Sequence, residues 1–428
     1  MRYLSDVFNA MREQTLVSST AFRNLQIYIH VPFCTSKCHF CDYVIGNNTR
    51  QLTSADTKGE AYVDALCRQI HEAGLHCSGL NYVPTSIYWG GGTPTRLNPY
   101  HLERIMEALQ SNFDLSKVRQ HSLEASPETL TVAHLRALDA HPVDRVSLGV
   151  QSFDKEHLRR AGRAHSAEQA IAAVDLARAA GVANVNVDLI AGFPDEEIAQ
   201  VENSIARAAA LDVQHISVYP YRPSPGTKMA NLIDTGRRGQ LSFEHTKLAY
   251  QTAKDLLEAQ GFEQYCLAYF AREKQSESIV GMHTYGLEGD ILGLGSGAQS
   301  MLGGYRIIND NAFYDEYIEN PLALGKCVKF GVEPDQIESL MTRIGAALQT
   351  KNGLDFNKFE QLTGLDFKQL CRENVPVRTF MKHLQKCGGT FYKTENGIAL
   401  KSANIHDVYI QHLYTHILDG TLDRGLRV

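Results

Sequence analysis

Three cysteines stand within one short stretch, Cys34-Thr-Ser-Lys-Cys38-His-Phe-Cys41. Thiolates at this spacing can each bind a separate iron of a cubane cluster. A [4Fe-4S] cluster held by three thiolates keeps one iron open to a further ligand. A zinc knuckle is the competing reading. It needs a fourth ligand, from His39 or a remote histidine, and its commoner spelling of paired C-x2-C motifs has no second pair here. The remaining six cysteines, Cys67, Cys77, Cys266, Cys327, Cys371 and Cys387, share no such spacing and read as ordinary buried or surface thiols.

A second set of suggestive residues follows. Gly90-Gly91-Gly92-Thr93-Pro94-Thr95 places three residues without a Cβ in a row, so the backbone N–H groups can approach a ligand closely. An ordinary glycine turn is the plainer alternative. Glu124, Gln151 and Asp188 each fall at or near the end of an apolar run. Polar groups converging on the C-terminal ends of parallel strands are the layout of a barrel active site, whereas each alone could merely cap the next helix.

Such residues need a scaffold that gathers strand ends. Six apolar or alternating runs recur, each followed by a helical pattern. Gln26–Val31 precedes a helix over Thr57–Leu75, Ser86–Trp89 one over Pro99–Phe113, and His121–Ala125 one after Pro127. Asp144–Val150 precedes Asp154–Leu158 and Ala167–Ala180, Asn184–Ile190 precedes Glu196–Leu211, and His215–Tyr219 precedes Phe243–Gln260. Ser126-Pro127 and Pro194-Asp195 read as helix starts, Gly181 and Gly261 as left-handed stops. This alternation implies right-handed βα units on a parallel sheet. Six units are fewer than the eight of a closed barrel, so the expected class is α/β, an open, partial (β/α)6 TIM-like barrel, with a flat doubly wound sheet as the alternative.

After residue 262 the alternation stops. Glu263–Phe270 and Asp290–Leu294 read as strands and Gly293–Gly297 as a glycine-rich turn. Helices over Gln336–Gln349, Phe356–Thr363 and Val377–Lys386, a hairpin over Gly389–Leu400 and a closing helix near Asp407–Leu418 suggest a smaller α+β, winged-helix-like unit. The expected organisation is an N-terminal extension (1–23), a barrel (24–262), a barrel extension bearing the substrate region (263–332) and a C-terminal unit (333–428) placed to cover the barrel mouth.

Composition sets limits on partners. The 428 residues carry 42 basic and 48 acidic side chains, a net charge of −6, with 43% hydrophobic and 21% charged residues, as in ordinary globular proteins of two or three parts. Mild acidity argues against nucleic acid as a partner. No run approaches the roughly 18 apolar residues of a membrane span, and the N-terminus lacks the apolar core of a secretion signal. A cytoplasmic location is expected, and nine cysteines, an odd number, do not suit a disulfide scaffold.

With its flank, Tyr28-Ile-His-Val-Pro-Phe-Cys34, the triplet resembles the radical S-adenosylmethionine (SAM) superfamily. It is most similar to the branch that contains oxygen-independent coproporphyrinogen III oxidase, the related heme chaperone, and a group of radical methyltransferases and cyclopropanases. The resemblance spans about residues 24 to 400. It implies Cys34, Cys38 and Cys41 as ligands of a [4Fe-4S] cluster. It places SAM against Tyr28, the Phe40 backbone, Gly91, Gly92, Thr93, Glu124, Gln151, Arg163, Asp188 and Tyr221. Within these, Arg163 is implied as the partner of the SAM carboxylate, and Asp188–Pro194 as the support of adenine and ribose.

Within the branch, three details bear on the reaction. Heme chaperones resembling this chain usually carry His-Asn-x-x-Tyr-Trp where it reads Met282-His-Thr-Tyr-Gly-Leu, and a His where it has Gln299. Coproporphyrinogen oxidases usually continue Cys-Gly-Cys, whereas this chain reads Cys41-Asp-Tyr-Val-Ile45. The aromatic-Val pair looks more like the methyltransferases and cyclopropanases, which are believed to bind two SAM molecules. The favoured expectation is therefore methyl or methylene transfer from a second SAM to an sp2 carbon of a natural product or heteroaromatic. A tetrapyrrole oxidation comes next, then non-catalytic heme delivery. Tyr285, Glu288 and Gln299 fall where the branch binds its second SAM or substrate. The implied partners are a small-molecule substrate and an electron donor such as flavodoxin or ferredoxin, with no nucleic acid and no membrane.

Overall fold

The computed structural model describes residues 1–15, 23–42, 55–239, 242–285, 287–309, 314–333, 336–386 and 391–400. The Tyr43-Val44 pair, Cys387 and the closing helix near Asp407–Leu418 lie outside them.

All six expected strands form: β1 (Arg23–Val31), β2 (Tyr82–Gly91), β3 (Gln120–Ala125), β4 (Arg145–Gln151), β5 (Asn184–Ala191) and β6 (His215–Pro220). They pair in parallel in that order. Helices Ala55–Cys77, Pro99–Asn112, Ala167–Ala179, Ile198–Ala210 and Phe243–Ala259 lie between or after them. The sheet is larger than the sequence suggests, with twelve strands among the described residues. β7 (Glu263–Cys266) and β8 (Tyr269–Ala271) extend it antiparallel beyond β6. β9 (Asp290–Leu294) pairs in parallel with β1 and is a seventh strand of the parallel core. β10 (Gln299–Leu302), β11 (Tyr305–Asn309) and β12 (Leu324–Lys329) follow it antiparallel. The segment 263–332 thus continues the sheet on both edges.

The period of two along the strands sorts the two faces. On β1, Leu25, Ile27, Ile29 and Val31 join the main apolar core with Tyr62, Val63, Leu66 and Ile70 of the first long helix. The opposite face is polar: Gln26, Tyr28 and His30 on β1, Tyr88 on β2, Glu124 on β3, Arg145 and Ser147 on β4, Asn186 and Asp188 on β5. The sheet curls around this face, so that Arg145 of β4 reaches His215 of β6 across the intervening strand. A polar lumen results.

Several boundaries depart from expectation. The helix expected after Pro127 is the short Val132–Arg136, capped by Thr131, because Ser126 instead starts a turn that accepts the Thr129 and Leu130 N–H groups. The helix expected at Pro194-Asp195 starts at Ile198, with Glu197 as its cap, since Asp195 sits at φ 62°, outside helical space. Gly181 and Gly261 do adopt left-handed stops, at φ 87° and 83°. Residues 1–23 hold more than a tail: helix Leu4–Thr15 sends Leu4, Val7, Phe8 and Met11 into the main core at helical spacing.

Residues 274–283 floor the lumen at the strands' N-terminal ends. Gln120 donates to Glu277 O at 3.1 Å and accepts from Ile279 N–H at 2.9 Å, and Asn184 donates to Ser276 O at 2.9 Å. The C-terminal α+β unit has its own core around Leu340, Ile344, Phe359 and Phe380, and a small sheet of β13 (Leu354–Asp355), β14 (Phe391–Lys393) and β15 (Gly397–Leu400), ordered β13-β15-β14. Its buried Arg343 donates to His283 O at 3.3 Å. The unit's described residues therefore back the floor and do not cover the mouth as expected.

Candidate active site at the cysteine loop

Where β1 ends, the chain turns into the cysteine loop, and the glycine segment after β2 is clipped to it. Gly92 N–H donates to Val31 O at 2.8 Å and Thr93 N–H to Phe33 O at 2.7 Å. A Cβ on Gly92 would lie 2.6 Å from Phe33 O and 3.0 Å from Cys34 Sγ. Gly91 has φ 105°, and a Cβ there would strike the His30 ring at 2.7 Å. Glycine is required at both by contact, and at Gly91 by backbone conformation too. Thr93 Oγ1 donates to Cys34 Sγ at 3.7 Å.

Three thiols share this loop. Burial pushes the Cys34 thiol up to about 12, and the nearby Cys38 and Cys41 push the same way, against Thr93 and Arg163. Gathering three thiolates here therefore calls for compensating cations, which the irons of a cluster supply. The zinc alternative fits worse. His39 is spent on fastening the loop: its Nδ1 lies 2.8 Å from Arg160 O, its Nε2 2.8 Å from Lys228 Nζ, and its backbone bonds Ala161 and Met229. Among the described residues, no three His, Cys, Asp or Glu side chains converge as one mononuclear ion requires.

The remaining candidates separate into three neighbourhoods. Arg163 reaches the loop itself, donating to Cys38 Sγ at 3.0 Å, Ser126 Oγ at 2.9 Å and the Gly149 carbonyl. Gln151, at φ 70°, sits where the β4–β5 register slips, and its amide folds back beside Gly149. On the lumen face, Glu124 accepts from the Tyr88 hydroxyl, and Asp188 accepts from Ser147 Oγ and Asn186 Nδ2, both at 2.8 Å. Burial raises Glu124 to about 7; the Tyr88 bond opposes this, Asp188 adds to it, and Arg145 opposes it. Tyr28 bonds His30 Nδ1 at 3.1 Å and stacks on Tyr88 at 6.0 Å. In the third neighbourhood, Phe40 meets Phe193 at 5.6 Å and Tyr221 stacks on Phe193 at 4.5 Å, forming an aromatic wall beside the loop. The Tyr221 hydroxyl is buried without a partner, and burial raises it to about 12.

Several contributors were not singled out from sequence. Tyr88 shares the lumen face with Glu124, which period-two alternation along β2 would have indicated. Ser126 and Glu128 back Arg163, with Ser126 Oγ donating to Glu128 at 2.6 Å. Buried Glu196 fastens the turn before the aromatic wall by accepting from Gly192 N–H at 2.6 Å and Phe193 N–H at 3.1 Å, with His157 Nδ1 3.2 Å away. Burial raises Glu196 to about 7 and lowers His157 to about 4, so the two are not a pair of opposite charges near neutral pH. The Tyr285 side chain lies outside the described residues, and Glu288 pairs with Lys358 at 2.7 Å, away from the loop. Gln299 accepts from Arg306 at 3.3 Å on the exposed surface.

Comparison with known proteins matches residues 28–208 to the Radical SAM superfamily. The heme chaperone HemW of Bacillus subtilis is 32% identical over 286 residues, covering 66% of this chain and 72% of the relative. The oxygen-independent coproporphyrinogen III oxidase of Salmonella typhimurium is 30% identical over 370 residues, covering 83% and 78%. Among solved structures, coproporphyrinogen III oxidase (HemN) from Escherichia coli superposes with a TM-score of 0.74 at 25% identity, covering 98% of this chain and 94% of that one.

Proposed function

Starting from a chain that belongs to the radical SAM superfamily, in the branch of oxygen-independent coproporphyrinogen III oxidase and the heme chaperone HemW, we propose that it is a radical SAM enzyme that oxidises a tetrapyrrole of the coproporphyrinogen class. The family's cofactors are a [4Fe-4S] cluster and SAM. The observation that carries the substrate class is the near full-length correspondence to the oxidase structure. Methyl or methylene transfer, favoured by the Tyr43-Val44 pair, has less support: the two relatives described above are a heme chaperone and an oxidase.

When bound, the cluster and SAM supply reductive C–S cleavage to methionine and a 5′-deoxyadenosyl radical, the hydrogen-abstracting group. The chain's part is placement. Cys34, Cys38 and Cys41 would hold three irons; Gly91, Gly92 and Thr93 would present backbone to the methionine end of SAM, with Tyr28 and the Phe40 backbone beside them. Arg163, with its donors turned from Cys38, would offer a bidentate face to the SAM carboxylate. Glu124, Gln151 and Asp188 hold the polar groups, and Tyr221 with Phe193 walls the base. The lumen wall would exclude water from the reacting groups. The electron comes from a flavodoxin- or ferredoxin-like donor. Among the described residues, no helix is long and apolar enough to cross a membrane.

Heme delivery is the second reading, favoured by the HemW identity. Against it, His283 is buried and its Nε2 lies 3.5 Å from Thr85 Oγ1, so it does not present an imidazole to a heme. Anaerobic reconstitution with SAM, a reductant and coproporphyrinogen III tests the choice. Carbon dioxide released together with 5′-deoxyadenosine is expected. Heme binding without SAM turnover would establish the chaperone, and S-adenosylhomocysteine formed alongside 5′-deoxyadenosine would restore carbon transfer.

A further inference from the structure

Arg145 is a buried cation that the proposed reaction leaves unused. It opens β4, and its register partners are Ser122 of β3 and Asn184 of β5. All three are buried in the lumen wall, and each leaves a polar atom without a partner: Arg145 Nε, Ser122 Oγ and Asn184 Oδ1. The polar contact of Arg145 is His215 Nδ1 at 3.5 Å. That nitrogen lies 2.6 Å from Asn186 Oδ1, which draws its proton, so it cannot serve Arg145 as an acceptor. Burial also keeps His215 neutral, well below its ordinary range. Glu124 and Asp144 feel the guanidinium charge without contacting it.

Among the described residues no counter-ion touches this deep guanidinium, which is therefore poorly compensated. Residues 274–283 close the lumen beneath it, so a ligand reaches it from the side of the cysteine loop. We propose that Arg145, Ser122 and Asn184 form an anion subsite at the lumen floor, which takes a carboxylate group of the substrate. The guanidinium and the Ser122 hydroxyl donate to the two carboxylate oxygens, and Asn184 Oδ1 accepts a hydrogen bond from a neighbouring donor of the ligand. The assignment deepens the proposed function by naming the group that the lumen recognises, and it rests on that reading only in treating the lumen as the substrate's place.

The test uses thermal melting of the full reconstituted chain with propionate, with the uncharged isostere propionamide, and with chloride at matched ionic strength. Propionate is expected to raise the wild-type Tm by about 2 °C or more, while propionamide and chloride do not. Arg145→Met is expected to melt no lower than wild type without ligand, since an unpaired buried charge is removed at similar length, and to gain nothing from propionate. Equal protection by chloride, protection surviving in Arg145→Met, or a wild type indifferent to propionate each overturns the subsite. A large loss of Tm in Arg145→Met together with an unresponsive wild type would make the residue structural. Propionate protection that depends on Arg145, in a protein that does not turn over coproporphyrinogen III, leaves the subsite standing and removes only the tetrapyrrole.

Discussion

Glu196 offers a sharp test of how the aromatic wall is held. Its carboxylate accepts two buried backbone N–H groups, from Gly192 and Phe193, that have no other visible acceptor. Glu196→Ala leaves both unsatisfied, at about 1–3 kcal/mol each, or roughly 2–6 kcal/mol together. The loss depends on pH. Burial raises Glu196 from 4.5 to about 7, so its favourable contribution to the fold is complete below about 4.5 and is lost as pH rises through about 7. Between those limits it amounts to about 3 kcal/mol at most. Glu196→Gln keeps one carbonyl for both N–H groups and turns its amide toward His157 Nδ1, without ionising. Glu196→Gln should therefore match wild type near pH 5 and exceed it near pH 8, whereas Glu196→Ala should fall below wild type by more at pH 5 than at pH 8. Melting curves of the full chain read this on the order of 1–2 °C per kcal/mol for a chain this long. SAM affinity should fall several-fold in Glu196→Ala with iron content unchanged. If Glu196→Gln is less stable than wild type at pH 8, or both differences are flat with pH, the reading of Glu196 as a carboxyl held neutral by burial is wrong.

Three other outcomes follow from the site. Cys34→Ala, Cys38→Ala or Cys41→Ala should each abolish cluster assembly and SAM cleavage, read as iron content and 5′-deoxyadenosine; a variant retaining both would remove that cysteine from the ligand set. Gly92→Ala should sharply reduce iron incorporation, because its Cβ would meet Phe33 O and Cys34 Sγ, and full reconstitution would show that the glycine segment is not part of the cradle. Burial raises Glu124 from 4.5 to about 7, so its support of the fold, about 3 kcal/mol at most, is present below about 4.5 and gone above about 7. Glu124→Gln should flatten that arm of the stability profile, and an unchanged slope would place the carboxyl in contact with bulk water.

The cysteine loop and the strand ends were legible because their signals are local. Ligand spacing, a run of glycines and a polar residue closing an apolar run need no knowledge of distant partners. β9 was read as a strand but not as part of the parallel core, since five buried residues with no following helix do not announce a partner as far away as β1. The floor at 274–283 and the placement of the C-terminal unit depend on single contacts such as Gln120 with Glu277, which no periodicity encodes. Ser126-Pro127 misled because a serine before a proline also starts a turn, and here Ser126 carbonyl and hydroxyl are committed to Thr129 and Glu128.

The largest illegible feature is the sign of the polar face. Gln120-His-Ser-Leu-Glu124 reads as a strand with one apolar and one polar side, and the ordinary inference sends the polar side to water. Here the apolar sides of β1 to β6 take the helices, so the curl of the sheet turns the polar sides inward. That single geometric fact, absent from the alternation itself, accounts for the buried Glu124, the neutral His215 and the unaccompanied Arg145 alike. A lumen lined by groups whose charges are held apart by neutral neighbours cannot be satisfied by its own side chains. Its stability as a fold and its capacity to bind a charged, polar ligand are therefore two consequences of one arrangement, and substitutions that make the lumen apolar should improve the first at the expense of the second.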